Sequence, residues 1–197
     1  SICIFENDNL LFIDSINVGG KNITNDIARG IPTNIESAER LKTLYGSVIS
    51  SPSDDNELIE VTNLNDTQSN FKQINRSTVN SIIKPRVEET LELVWQKLKQ
   101  YNLHSRHIKN LVLTGGGSSL EGIAEYAENI FDSNVRIANP ILLEGMDIQS
   151  NNAQFSQTIG MMIYNKKDFE IKYLQKLEKN KKINVFSRFS SWLDQYI

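Results

Sequence analysis

The stretch from Asn110 to Gly122 reads NLVLTGGGSSLEG and sets Gly115, Gly116, Gly117 and Ser118 directly after a β-branched and leucine run. Leu111, Val112 and Leu113 read as a buried strand. Leu120 to Phe131 repeats apolar residues at helical spacing, so the glycines fall at a strand-to-helix turn. Such a turn lets the backbone lie against a ligand with no Cβ in the way, and a helix start offers unpaired amides. A plain tight turn satisfies the same pattern. A second pair with chemical capacity is Glu39 and Lys42 of AERLK, which are three apart and share one helical face. They form either an exposed ion pair or an acceptor and a cation for a ligand. Gly20 in GGKNIT either breaks a strand before a helix or allows close approach of a ligand. His104 and His107 are also three apart, yet no cysteine or acidic cluster beside them completes a metal set, so they read as surface residues. No nucleophile elbow is present, and no catalytic residue is assigned.

The elements that must position these residues alternate along the chain. SICIF and LLFIDSI read as strands joined at Glu6, Asn7 and Asp8. Gly19 and Gly20 break the pattern before the short helix NITNDIARG. Thr33 opens a capping-box pattern with Glu36, and the helix ESAERLKTLY stops at Gly46. Residues 50 to 80 are rich in Ser, Asn, Asp and Thr, with ELIEV and NFKQI as strands of a small sheet. A long helical stretch runs from about Arg76 to Tyr101, and Pro85 is expected to kink or split it. A strand at Lys109 to Leu113, the glycine turn, a helix to Phe131, the strand NVRIA and a helix from Asn152 to Tyr164 complete the succession. Strand, helix and strand in turn imply an α/β architecture with a mixed sheet.

Composition excludes several classes. At 197 residues, 39% hydrophobic and 23% charged, the chain is ordinary for a globular protein, and no apolar run approaches the roughly 18 residues of a membrane span. Cys3 is the single cysteine, so no intrachain disulfide forms and a reducing compartment is expected. The chain opens without Met and inside an apparent strand, and it is expected to be the C-terminal portion of a longer product. Between Lys166 and Arg188 stand eight Lys or Arg residues against three Asp or Glu, although the whole chain carries −3. That split argues against nucleic-acid binding by the body and isolates the tail electrostatically. After it comes NVFSRFSSWLDQYI, residues 184–197. Here Val185, Phe186, Phe189, Trp192, Leu193, Tyr196 and Ile197 fall on one helical stripe, suited to a membrane surface or to docking on the protein's own core.

Five blocks occur in a telling order: VGGKNITNDIARG, ESAERLKTLYGS, IIKPRVEETLELV, NLVLTGGGSSLEGIAEYAENIF with NVRIANP, and FSQTIGMMIY. Together they resemble the actin-like superfamily and, within it, most closely the FtsA family of bacterial cell-division proteins. The resemblance spans Ser1 to about Tyr164; MreB-like and PilM-like filament or assembly proteins, or a truncated Hsp70-like or sugar-kinase-like ATPase, are the alternatives. It implies the second lobe of the actin/Hsp70-like fold, with subdomain 2A at 1–20 and 102–165 and subdomain 2B at 21–101. A basic linker at 166–183 and an amphipathic membrane-targeting helix at 184–197 would follow.

The resemblance also implies a ligand. Gly20, Gly115, Gly116, Gly117 and Ser118 would lie against the nucleoside of ATP, with Glu39 accepting from ribose hydroxyls and Lys42 along the base; Mg2+ would accompany ATP in the full-length protein. Neither phosphate hairpin of the DxGxGT type is in this sequence, so no ATP hydrolysis by this chain alone is expected. The implied partners are FtsZ through subdomain 2B, further copies in actin-like filaments, other divisome proteins, and an anionic membrane through Val185, Phe186, Phe189, Trp192, Leu193 and Ile197. The implied location is the cytoplasmic face of the inner membrane at the division site.

Overall fold

The computed structural model describes residues 1–164 apart from 8, 63–70, 104–107, 109 and 148–150. The basic linker, the amphipathic segment and both histidines lie outside the described residues. Two compact units divide the chain, Ser1–Phe155 and Ser156–Ile197. Of the second, one helix is described, Ser156–Tyr164, whose Met161, Met162 and Tyr164 are exposed.

Within the first unit, β1 (Ile2–Glu6) and β2 (Asn9–Asp14) form the expected antiparallel hairpin. Alternation decides its faces. Ile2 is buried, Ile4 and Phe12 pack on the core, and Cys3, Phe5 and Ile13 point outward. Helix α1 (Gly20–Gly30) follows, with Asn22 Oδ1 accepting the Gly19 amide at 3.0 Å. Helix α2 (Ile35–Tyr45) is capped differently from the sequence expectation. Its N-cap is Asn34, whose side chain accepts the Ser37 amide at 2.7 Å, and not Thr33. Thr33 is drawn elsewhere: buried, it donates its hydroxyl to the Thr62 carbonyl at 2.8 Å and ties the start of α2 to the small sheet. That sheet is β3 (Leu58–Thr62) paired antiparallel with β4 (Phe71–Asn75), both anticipated.

Helix α3 (Arg76–Gln100) runs 25 residues and is not split at Pro85. Proline removes one amide and crowds the preceding turn, a cost of about 3 kcal/mol in an isolated helix. Here Val79, Ile83, Val87 and Leu91 are buried on both sides of it at four-residue steps, which offsets that cost at roughly 1.5–3 kcal/mol per side chain. The helix is fastened at several points: Arg86 to Asp26 of α1 at 2.5 Å, Lys97 to Asp14 of β2 at 2.7 Å, and Trp95 edge-on to Phe131 with centroids 5.8 Å apart. Strand β5 (Asn110–Leu113), helix α4 (Ile123–Phe131) and strand β6 (Asn134–Ile137) form a parallel βαβ unit. A mixed sheet is not what results. Among the described residues the strands pair two by two, two pairs antiparallel and one parallel. One core joins these pieces, with Ile27, Ile31, Ile83, Leu98 and Phe131 at its centre.

Candidate nucleotide site

Three of the residues singled out in the sequence converge between α1 and α2. Lys42 Nζ donates to Glu39 Oε2 at 2.7 Å and to the Gly20 carbonyl at 3.3 Å. A fourth residue, Thr24, sits at the centre. Its Oγ1 lies 2.5 Å from Glu39 Oε2, 3.0 Å from Lys42 Nζ and 3.0 Å from the Gly20 carbonyl. Thr24 escapes sequence reasoning because a threonine one turn into a helix reads as a filler. The available signal is its position four residues after Gly20, which stacks it above that residue on one face of α1.

Geometry separates the roles of the two charged side chains. The three ammonium protons of Lys42 meet three protein acceptors, and its side chain is 14% exposed. Its charged head is thus engaged within the protein. Glu39 is 52% exposed, and both of its contacts fall on Oε2. Oε1 accepts no hydrogen bond among the described residues. Partial burial alone would push the Glu39 carboxyl up, but the hydrogen bonds from Lys42 and Thr24 outweigh it and hold the group below the usual carboxylate range. Glu39 is therefore an ionised acceptor, fixed at one oxygen and open at the other.

The glycine turn differs in detail from a strand feeding a helix. Gly116–Ser119 form a 3-10 turn, and α4 begins later, at Ile123 behind the N-cap Gly122. The cause lies at Gly115, whose φ of 90° is open to glycine and directs both the Ser118 amide (3.0 Å) and the Ser118 hydroxyl (2.8 Å) to its own carbonyl. Ser118 is buried by this and spends its polar groups internally. Gly116 and Gly117 are exposed, and a Cβ at either would meet nothing closer than Gln154 Cβ at 3.9 Å. Among the described residues, packing does not require glycine at either position.

The two parts are joined by the segment after α2. Ser47 bridges Glu121 in parallel, with the Val48 amide donating to the Glu121 carbonyl at 3.0 Å. Gly122 has φ 76°, and a Cβ there would stand 2.3 Å from Ile49 Cγ1. Beneath the bridge is a polar hub that the sequence does not disclose. Arg76 pairs with Glu121 at 2.5 Å and Glu57 at 3.3 Å, and donates to the Tyr45 carbonyl at 2.9 Å. Asn80, buried, accepts the Ser47 amide at 2.9 Å and donates to buried Asp54 at 3.1 Å. Burial would lower the Arg76 pKa, but its carboxylate partners, Glu121 foremost, raise it, so the guanidinium stays charged.

Among the described residues no cluster of three or more His, Cys, Asp or Glu side chains is placed to hold a metal ion, and no helix is long and apolar enough to cross a membrane.

Comparison with known proteins supplies a family context. The profile described as cell division protein FtsA matches residues 1–160. A cell division protein FtsA of Agrobacterium fabrum is 36% identical over 165 residues, which is 83% of this chain and 37% of that protein. The chain thus spans little more than a third of the length of that relative. Among solved structures, MreB 5 of Spiroplasma citri bound to AMPPNP is similar with a TM-score of 0.61 at 16% identity, covering 88% of this chain and 50% of that one. A PilM–PilN type IV pilus biogenesis complex is similar with a TM-score of 0.56 at 19% identity, covering 80% and 40%. These likenesses give the fold: α/β, of the actin-like ATPase type.

Proposed function

The chain belongs to the FtsA family of cell-division proteins, and from that membership we propose that it is the second lobe of a nucleotide-binding divisome tether. In this reading residues 21–101 are subdomain 2B and engage FtsZ, while 1–20 with 102–165 are subdomain 2A. Residues 166–183 are a basic linker to an amphipathic helix at 184–197, which holds the protein on the cytoplasmic face of the inner membrane at the division site. The intact protein self-associates into actin-like filaments, supports Z-ring assembly and meets other divisome proteins. The observation that carries the nucleotide part is the Glu39 carboxylate, ionised, held at Oε2 and open at Oε1.

The residues present suit a nucleoside. Glu39 Oε1 would accept from a ribose hydroxyl, the Lys42 stem would lie along a base, and exposed Gly116 and Gly117 would let the backbone approach. The similar MreB 5 structure, bound to AMPPNP, supports the same ligand class. In this reading Mg2+ accompanies ATP in the intact protein, held largely by the phosphates and water. The test is calorimetry of ATP on the intact protein. Gly116→Val is expected to weaken binding by placing a branched side chain beside the turn; undiminished affinity with the fold intact would make the turn purely structural.

A further inference from the structure

Thr24 meets Glu39 at Oε2, the oxygen that Lys42 also holds, and its placement is constrained from several sides. It is 2% exposed, on the buried face of α1, with two acceptors and one ammonium around a hydroxyl that carries one proton. The shorter contact is to Glu39 Oε2 at 2.5 Å, against 3.0 Å to the Gly20 carbonyl. A half-exposed glutamate without such a partner would sample several rotamers of its three side-chain torsions. Lys42 alone does not prevent this. Its three contacts tolerate rotation of an ammonium, a compact point charge with no directional fork. The threonine hydroxyl is directional, short of freedom, and anchored on a different helix from the glutamate.

We propose that Thr24 is a positioning residue of the nucleoside wall: its buried hydroxyl fixes Oε2 of Glu39 and thereby aims Oε1 at the ribose hydroxyls of a bound nucleotide. The proposal rests on the nucleotide reading given above. It adds that ribose recognition is shared between α1 and α2, with the discriminating atom on α2 and the constraint on it on α1. A structural role alone predicts something else. If Thr24 only holds the helices together, its loss lowers stability and affects all nucleotides equally.

The experiment measures affinity for ATP, 2′-deoxyATP and 3′-deoxyATP on the intact protein and on Thr24→Val, Thr24→Ser and Glu39→Gln. The parent is expected to prefer ATP over at least one deoxy analogue, and Glu39→Gln to lose that preference. Thr24→Val, which keeps the shape and removes the hydroxyl, is expected to cut the preference by about tenfold, the order of one hydrogen bond to a charged group. Thr24→Ser is expected to retain it. Should the valine variant not fold, Thr24→Ala provides the hydroxyl-free comparison. Loss of preference in Glu39→Gln with the parental ratio kept in Thr24→Val would overturn the positioning role while leaving the site intact. An unchanged ratio in Glu39→Gln would remove Glu39 from the ribose and take the nucleotide reading of this wall with it. Equal loss in the serine and valine variants would assign Thr24 to packing.

Discussion

Asn80 and Asp54, 26 residues apart in the chain, share a hydrogen bond of 3.1 Å, and both side chains are buried. Asp54 also accepts the Ser51 amide at 3.0 Å, while Asn80 accepts the Ser47 amide at 2.9 Å. Asn80→Ala therefore strands a backbone donor and part of a carboxylate together. A loss of about 1–3 kcal/mol for each buried group left unpaired is the expected range. Chemical denaturation of the intact protein checks this; a change below about 0.5 kcal/mol would mean that solvent reaches the hub.

Two glycines, one inside the 3-10 turn and one beyond it, should respond in opposite ways. Gly122→Ala meets Ile49 at 2.3 Å with φ at 76°, so strain and overpacking add, each on the order of 1–3 kcal/mol. Gly117→Ala meets nothing within 4 Å and is expected to leave thermal stability close to parental while reducing ATP affinity. Paired melting curves and ATP titrations separate them. Equal stability loss in both would contradict the geometry.

The Glu39 carboxyl is held below its usual range in the folded protein, and the sign of its pH effect follows. A depressed folded pKa gives stability that is fully present above the unfolded value and is lost as pH falls through the folded one. The stability difference between the parent and Glu39→Gln should be flat from neutral pH down to the ordinary carboxylate range, then shrink on further acidification. Urea titrations at a series of pH values test this. A difference that grows on acidification would show the proton bound in the wrong state.

The apolar stripe of residues 184–197 provides a prediction from sequence. Phe189→Asp combined with Trp192→Asp is expected to leave the intact protein in the supernatant after sedimentation with anionic liposomes. Binding of the parent should weaken with salt without vanishing, since the basic residues add at most about 1 kcal/mol each near the surface. A double variant that pellets as the parent does would place the anchor elsewhere.

What was legible in the sequence was local. The hairpin β1–β2, the strands β3 and β4 and the βαβ unit follow from alternation and turn residues between neighbours. Thr33 and Asn34 both suit an N-cap, and which one serves depends on the Thr62 carbonyl, far along the chain. Pro85 does not split α3 for a similar reason, since burial of the helix on both sides of it is a tertiary term. At the candidate site, Gly20, Glu39 and Lys42 were found by motif and do meet, but the Thr24 hydroxyl between them carries no pattern of its own. Arg76 gathers partners from separate segments, and no spacing rule announces such a hub.

The pairing of Arg76 with Glu121, across 45 residues, has a kinetic consequence. Every strand pair closes a shorter loop than this one, so each can form at a smaller entropic cost before the hub does. The hub is therefore expected to close late in folding, after the strand pairs. Glu121→Gln should speed unfolding several-fold and leave the refolding rate nearly untouched, so the lifetime of the native state would be set in part by a residue two positions past the 3-10 turn.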